Sequence, residues 1–180
     1  MIEKGRNTGF TIVELLIVIV VIGILAAITI VAYSGIQQRA RDSQRDSDIA
    51  TVAKALELYY VDNGQFPVIA PNGSTATGMG NYWAVTTDGS WSALASALVP
   101  KYISKLPEEP IVQTNADPRF GVAMGYAYYA NTSTYCGKAT FQMYILVYKR
   151  ESGSQKNVYS GDCTTNVLTY SAASNYRVTK

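Results

Sequence analysis

A long apolar run near the N-terminus is the feature that most constrains the fold of this chain. It extends from Phe10 to Val31, consists mainly of Ile, Val, Leu and Ala, and is interrupted at four positions: Thr11, Glu14, Gly23 and Thr29. The run is long enough for the ~20 helical residues that span a bilayer. Up to Gln38, Glu14 is its only charged side chain. We therefore expect a single membrane-spanning helix.

The residues before the run predict its orientation. Residues 1–9 carry Glu3, Lys4 and Arg6, and together with the terminal amine they are net positive. Positively charged flanks stay on the cytoplasmic side, so the chain after Val31 is expected outside the cytoplasm. A secretory signal peptide is the alternative, with Ala26 and Ala27 as a weak cleavage site.

The helix is predicted to continue beyond the membrane, because no turn signal follows the apolar run. Gln37 to Asp48 contains four charged residues at i,i+3 spacing, which are Arg39, Asp42, Arg45 and Asp48. Such spacing places opposite charges side by side on a helix and predicts a solvated helical neck.

An apolar stripe follows the neck. It consists of Ile49, Val52, Ala53, Leu56, Tyr59 and Tyr60, at steps of three and four residues, and it predicts a helix face that packs on a core. Asn63 and Gly64 are typical helix stops, with Pro67 close behind, so we expect the helix to run to about Val61.

The rest of the chain predicts a smaller mixed structure. Gln65 to Ser90 is rich in Gly, Pro, Asn, Ser and Thr and is expected to be a long loop, with Val68 or Trp83 as the site of a short strand. Trp91 to Leu98 is expected to be a short helix with Ser90 as its N-cap, and Lys101 to Pro110 an irregular connector.

Two segments rich in aromatic and β-branched residues predict strands, Tyr126 to Ala130 and Phe141 to Tyr148. In the second, side-chain alternation would turn Phe141, Met143, Ile145 and Val147 toward the helix, with Tyr144 and Tyr148 on the other side. Weaker strand candidates are Val158 to Ser160 and Val167 to Tyr170.

Composition excludes most enzyme mechanisms. The 180 residues contain no histidine and carry a net charge of only +2, so the commonest general base is absent and nucleic acid is not favoured as the main partner. The only cysteines, Cys136 and Cys163, cannot form a thiolate metal site alone. An even cysteine count in an extracytoplasmic region predicts a disulfide between them. We expect a protein that is not an enzyme.

The segment from Gly9 to Glu14, followed directly by LLIVIVVIGILAA, resembles the class III signal and N-terminal helix of type IV pilins and pseudopilins. The resemblance implies that a prepilin peptidase cuts between Gly9 and Phe10 and that the exposed Phe10 is N-methylated. Glu14 matches the family's glutamate, which serves subunit assembly and register. A carboxylate inside an apolar span is costly and independently indicates a partner or a function.

The resemblance extends more weakly to Tyr60–Pro67 and to Tyr102–Pro110, the latter similar to a loop of major pseudopilins. It implies an α+β pilin fold, in which a long N-terminal helix packs on a small antiparallel β-sheet. The expected organisation is a cleaved leader (1–9), a transmembrane assembly helix (10–33), its amphipathic continuation (34–62) and a globular head (63–180). Many members have a mid-helix proline where this chain has Val31; Gly23 retains the other helix-weakening position.

The function implied is a structural subunit of a bacterial type IV pilus, with no cofactor. The chain would be a single-pass cytoplasmic membrane protein before assembly and a cell-surface filament, a homo-oligomer, afterwards. The implied partners are the prepilin peptidase, an assembly ATPase and a platform protein.

Two alternatives stay open at this point. One is a major pseudopilin of a type II secretion or DNA-uptake system. The other is a membrane-anchored protein that binds DNA or another ligand, with these candidate contacts: Lys138, Lys149, Arg150, Lys156, Arg177 and Lys180. A calcium site like that of some pseudopilins would draw on Glu108, Glu109, Asp117 and Asp162, although no ligand spacing singles them out.

Overall fold

A computed structural model of the chain describes residues 9–69, 82–111, 124–132, 134, 137–153 and 175–179. Its elements are helix α1 (Ile12–Asn63), strand β1 (Trp83–Val85), helix α2 (Trp91–Leu98) and strands β2 (Tyr126–Ala130), β3 (Tyr144–Tyr148) and β4 (Asn175–Thr179). The chain divides into two compact units, Met1–Arg39 and Ala40–Lys180. The predicted α+β class, a long N-terminal helix with a small antiparallel sheet, is confirmed.

Helix α1 ends where the stop signals predict, within two residues of the expected Val61. Its last residue is Asn63, and Gly64 follows with a φ of 70°, the left-handed conformation that glycine adopts at little cost. The Gly64 amide donates to the Tyr60 carbonyl at 2.8 Å, which satisfies one of the free carbonyls at the helix end.

The sheet has four antiparallel strands in the order β1-β2-β3-β4. Trp83 pairs with Tyr129, Tyr126 with Tyr148, and Tyr144 with Thr179. Strand β1 therefore lies at Trp83, one of the two predicted positions. Strand β4 was not expected from the sequence. The weaker candidates Val158 to Ser160 and Val167 to Tyr170 lie outside the described residues.

The core of the Ala40–Lys180 unit forms between helix α1, helix α2 and one face of the sheet. The predicted apolar stripe of α1 is confirmed, because Ile49, Val52, Ala53 and Leu56 are all buried in it. Tyr59 and Tyr60 are partly buried against the same cluster. The other members include Phe66, Trp91, Leu94, Leu98, Tyr126, Tyr128, Tyr144, Leu146 and Tyr148.

The predicted orientation of strand β3 is wrong. Tyr144, Leu146 and Tyr148 belong to the core that contains the α1 stripe, whereas Ile145 and Val147 are buried outside that cluster. The strand begins at Tyr144 rather than at Phe141, which has a left-handed φ of 61° and interrupts the alternation. Tyrosines can face the helix here because polar groups of α1 accept their hydroxyls: Tyr148 donates to Asp46 at 2.8 Å.

Helix α2 spans Trp91–Leu98 as predicted, but Ser90 does not cap it through its side chain. The Ser90 hydroxyl accepts a hydrogen bond from the Val85 amide at 2.8 Å and donates to Asp88 at 2.6 Å. The serine thereby ties the start of α2 to the end of β1.

Candidate functional site

The start of helix α1 is closed by a reciprocal pair of side chains. The Thr11 amide donates to Glu14 Oε2 at 2.8 Å, and the Glu14 amide donates to Thr11 Oγ1 at 3.3 Å. The Thr11 hydroxyl also donates to Glu14 Oε2, at 2.7 Å. This is the capping-box arrangement of a threonine followed three residues later by a glutamate. Glu14 therefore has a partner within its own chain, which the sequence analysis did not identify.

The two residues at the predicted cut lie just before this cap. Gly9 and Phe10 precede the first helical residue, Ile12, and both are exposed. The Phe10 side chain is 87% exposed. A peptide bond outside the regular helix is sterically open to a peptidase, whereas a bond inside the helix is not.

Apolar side chains cover helix α1 on all sides beyond the cap. From Ile12 to Ile30, the large apolar residues are each about half exposed or more, between 49% for Val21 and 82% for Ile12. A contiguous exposed apolar surface of this size is not stable in water and requires lipid or protein around it. The helix is long and apolar enough to cross a membrane. Gly23 lies within this surface, and a Cβ added there would meet no atom within 4 Å.

Arg45 occupies the centre of a second polar site, on helix α1 in the Ala40–Lys180 unit. Its side chain is fully buried. The guanidinium donates to Asp42 at 3.0 Å, to Glu151 at 2.8 Å and, through Nε, to Glu109 at 2.9 Å. One buried arginine thus joins α1 to the segment after α2 and to the turn after β3.

The carboxylates around Arg45 bond to further groups. Arg41 makes a bidentate contact with Glu151, at 2.7 and 2.6 Å. Asp42 accepts the amides of Glu151 and Ser152 at 2.8 and 3.0 Å. Asp48, one helical turn along, accepts the Tyr126 hydroxyl at 2.8 Å. We call Arg41, Asp42, Arg45, Glu109 and Glu151 the Arg45 ion cluster.

The predicted solvated neck is therefore wrong for its central residues. The Asp42–Arg45 pair forms as expected at i,i+3 spacing, but both side chains are almost fully buried. Asp48 is also buried and bonds to Gln44 and Tyr126 rather than to Arg45. The alternating charges on the helix predict only pairs between neighbouring residues. The pattern could not predict burial, because the other partners of Arg45, Glu109 and Glu151, are distant in sequence.

Electrostatics favour the charged state of the cluster. Burial alone would raise the pKa of Asp42, but hydrogen bonds from Ser152, Glu151 and Arg45 outweigh it and hold that pKa below its ordinary value. The Arg41 guanidinium, and then Arg45, likewise lower the pKa of Glu151 despite burial. Burial would lower the pKa of Arg45, but its bonds to Glu109 and Glu151 raise it instead.

Other predicted site residues have different roles or lie elsewhere. Glu108 pairs with Lys105 at 2.8 Å and Glu109 pairs with Arg45, so both calcium candidates are engaged in ion pairs. In the described part of the chain, no group of three or more acidic residues is arranged to hold a metal.

Arg150, a candidate DNA contact, lies 3.8 Å from the Asp46 carboxylate. Asp117, Cys136, Lys156, Asp162, Cys163 and Lys180 lie outside the described residues, as does the side chain of Arg177.

Comparison with known proteins gives a match over the apolar N-terminal segment. A family model described as the prokaryotic N-terminal methylation motif matches residues 4–30. This chain carries a prokaryotic N-terminal methylation motif. The match covers Gly9, Phe10 and Glu14, and ends within the apolar helix.

The relatives of this chain are named either as secretion-system proteins or as fimbrial proteins. The type II secretion system core protein G of Aeromonas hydrophila is 37% identical over 65 residues, 36% of this chain and 46% of that protein. The protein of the same name from Pectobacterium carotovorum is 30% identical over 105 residues, 58% of this chain and 62% of that protein. The type IV major fimbrial protein FimA of Dichelobacter nodosus is 36% identical over 104 residues, 54% of this chain and 62% of that protein.

The resemblance to type IV pilins and pseudopilins that the sequence predicts is confirmed by these relatives. The chain spans about half of the length of the first curated relative it matches. No solved structure matches the chain.

Proposed function

We propose that this methylation-motif chain is the structural subunit of a bacterial type IV filament that assembles through helix α1. The observation that supports this most is the apolar surface from Ile12 to Ile30, whose side chains are exposed among the described residues. A bilayer covers such a helix in the unassembled subunit, and the same helices of other copies cover it in a filament. Relatives named as core protein G and as a fimbrial protein support this reading.

Processing creates the group that assembly requires. Cutting between Gly9 and Phe10 by a prepilin peptidase converts a peptide nitrogen into a cationic amine, which is then N-methylated. The new amine lies next to apolar side chains, and so does the Glu14 carboxylate. A charge in apolar surroundings is costly, so each of the two groups favours an ionic partner. We assign Glu14 the role of pairing with the Phe10 amine of its own or a neighbouring subunit, which sets the register of docking. An assembly ATPase and a platform protein would extract the subunit from the membrane.

A sharp test has to separate the charge of Glu14 from its capping role. Glu14→Val removes both, whereas Glu14→Gln retains the oxygen that caps Thr11 and removes only the charge. Glu14→Asp retains the charge on a shorter arm. The measurement is the yield of sheared filaments beside the membrane pool of processed subunit, in cells without a wild-type copy.

We expect filaments to be lost in both the valine and the glutamine variants and reduced in the aspartate variant, with membrane insertion, cleavage and head folding unchanged. Normal filament yield from Glu14→Gln with loss in Glu14→Val would assign Glu14 a capping role only. Normal yield from Glu14→Val would overturn the register role altogether.

A major pseudopilin is the second candidate, favoured by the relatives named type II secretion system core protein G. A secretion system would require the same apolar helix and the same processing. Deleting the gene separates the two: loss of surface filaments indicates a pilus, and retention of a secreted protein inside the envelope indicates a pseudopilus. A DNA-uptake system would instead lose transformation.

A further inference from the structure

The Arg45 ion cluster ties two head segments to helix α1 through charged groups, in addition to the apolar contacts that Leu106 makes in the core. Glu109 belongs to the segment 106–111 after α2, and Glu151 belongs to the turn 149–152 after β3. Three backbone amides point at the same carboxylates. Ile111 donates to Glu109 at 3.3 Å, and Glu151 and Ser152 donate to Asp42 at 2.8 and 3.0 Å. Both segments are therefore attached to α1 by carboxylates that pair with one buried guanidinium.

We propose that this cluster is an acid-sensitive switch: as the pH falls below about 4, it increasingly releases the segment 106–111 and the turn 149–152 from α1 while the sheet stays folded. The proposal goes beyond filament assembly and concerns the head of the single subunit. It does not depend on the proposed function.

The chemical reason is the asymmetry between the two kinds of charge. Acid neutralises the carboxylates, but a guanidinium cannot lose its proton in the accessible pH range. Once Asp42 and Glu151 are protonated, Arg45 is a buried cation that has lost two of its counter-charges, which is strongly unfavourable. It regains hydration only if the segments that enclose it move away.

Neighbouring groups add to this effect. The charged and titratable side chains around the cluster are Asp46 and Asp48 on α1, Tyr126 on β2, and Tyr148 and Arg150 at the end of β3. Arg150 lies 3.9 Å from the Asp42 carboxylate and 3.8 Å from the Asp46 carboxylate, so protonating Asp42 removes one of its two nearby anions.

The sign of the pH dependence follows from Asp42 and Glu151. Both have a pKa held below the ordinary value in the folded protein. Their contribution to stability is complete above the ordinary carboxyl pKa and is lost as the pH falls through the lowered values. The switch therefore stays closed at neutral pH and opens only in acid.

Apart from the bonds of Tyr126 and Tyr148 to carboxylates of α1, the described side chains of the sheet are held by contacts that do not involve ionised groups. The core residues Tyr128, Leu146 and Leu56 are buried and are held by apolar contacts, with the Tyr128 hydroxyl bonded to the Pro67 carbonyl at 2.8 Å. These contacts do not titrate in acid. Opening is therefore expected to be local.

Hydrogen exchange of the full chain in detergent micelles, followed by mass spectrometry, tests the proposal directly. Protection factors, corrected for the intrinsic effect of pH, are compared at about pH 7 and about pH 3, below the ordinary carboxyl pKa. In acid we expect peptides covering 109–111 and 150–152 to lose protection by roughly tenfold or more, the equivalent of one pKa unit. Peptides covering β2 and β3 are expected to stay protected.

Variants assign the effect to the cluster. Arg45→Met is expected to remove protection from the same two segments at neutral pH, and Arg45→Lys to do so partly, because an ammonium cannot reproduce the fork of the guanidinium. Lys101→Met is the matched control, since it breaks the exposed Lys101–Asp62 pair of 2.7 Å. It should leave both segments unchanged.

A second reading comes from Trp91, whose indole Nε1 donates to the Pro107 carbonyl at 3.0 Å. In a Trp83→Phe background, release of 106–111 should shift Trp91 emission to longer wavelength in acid. Protection retained in both segments at low pH would overturn the proposal. So would equal loss across β2 and β3, which indicates global unfolding. If Arg45→Met does not fold, the acid series on the unmodified chain and Arg45→Lys decide between these outcomes.

Discussion

Single buried hydroxyls link the sheet to helix α1. Tyr126 donates to Asp48, and Tyr148 donates to Asp46, each at 2.8 Å. Tyr126 is fully buried, so its hydroxyl and the Asp48 carboxylate satisfy each other away from water. Loss of the Tyr126 hydroxyl leaves Asp48 Oδ2 without this donor, although Gln44 still donates to Oδ1, and an unsatisfied buried acceptor costs more than the bond itself contributes.

Tyr126→Phe is therefore expected to lower the free energy of unfolding by about 1–3 kcal/mol. The measurement is urea unfolding of the full chain in detergent, followed by near-ultraviolet circular dichroism. Tyr129→Phe is the control, because the Tyr129 hydroxyl bonds only to nearby Thr132, at 3.1 Å, and is half-buried. Equal losses in the two variants would contradict a specific role for the Tyr126–Asp48 bond.

Arg45 shows what residue patterns do not reveal. Its i,i+3 spacing from Asp42 predicts the local pair, and that pair forms at 3.0 Å. The spacing gives no information on Glu109 and Glu151, which are distant in sequence. Their ion pairs with Arg45 compensate the charge of the buried guanidinium. Glu14 behaves in the opposite way. Its spacing from Thr11 is a capping signature that is visible in the sequence, and the structure contains that cap. Its position in an apolar span had predicted only an ionic partner.

Helix α1 is the element that sequence predicts best. An apolar run, an apolar stripe and two stop residues locate it from Ile12 to Asn63 because each signal depends only on neighbours along one helix. Strand β3 is predicted less well. Phe141 begins the aromatic segment but adopts a φ of 61°, and this local turn shifts the alternation by which faces are assigned. Strand β4 had no comparable pattern.

Continuity of α1 across Gly23 and Val31 leads to a prediction for the filament. Val31 retains the backbone amide that a proline would lack, and glycine costs only about 1 kcal/mol relative to alanine. We expect a filament density map to contain unbroken helix from Gly23 to Ile36. Extended backbone between Gly23 and Val31 would contradict this. Val31→Pro is the informative comparison, because it should introduce a break at a cost of about 3 kcal/mol.

At the scale of the whole molecule, the two compact units have different chemical requirements. Within Met1–Arg39, the surface from Ile12 to Ile30 is apolar and exposed, whereas Ala40–Lys180 has its own apolar core and a buried ion cluster. Composition and hydropathy predict the apolar span and the separate core, but not the burial of the ion cluster. The relatives carry both secretion and fimbrial names.

The cysteines give a prediction for the intact chain. We expect Cys136 and Cys163 to form a disulfide, which would stabilise the head by roughly 3 to 4 kcal/mol in the chain-entropy model. Alkylation of the denatured, unreduced protein measures it. A disulfide leaves both cysteines unmodified until reductant is added, whereas labelling of both without reductant would disprove it. Cys136→Ser should then lower stability as much as reduction does.

The intact mass of this chain recovered from sheared surface filaments tests the central claim most directly. Cleavage and methylation precede assembly in the proposed sequence of events, so one spectrum reports on all three. The account predicts a subunit that begins at N-methylated Phe10 and retains every residue after it. Absence of the chain from filaments and from a secretion pseudopilus, or a mature N-terminus at Thr29 after ordinary signal-peptide cleavage, would contradict it.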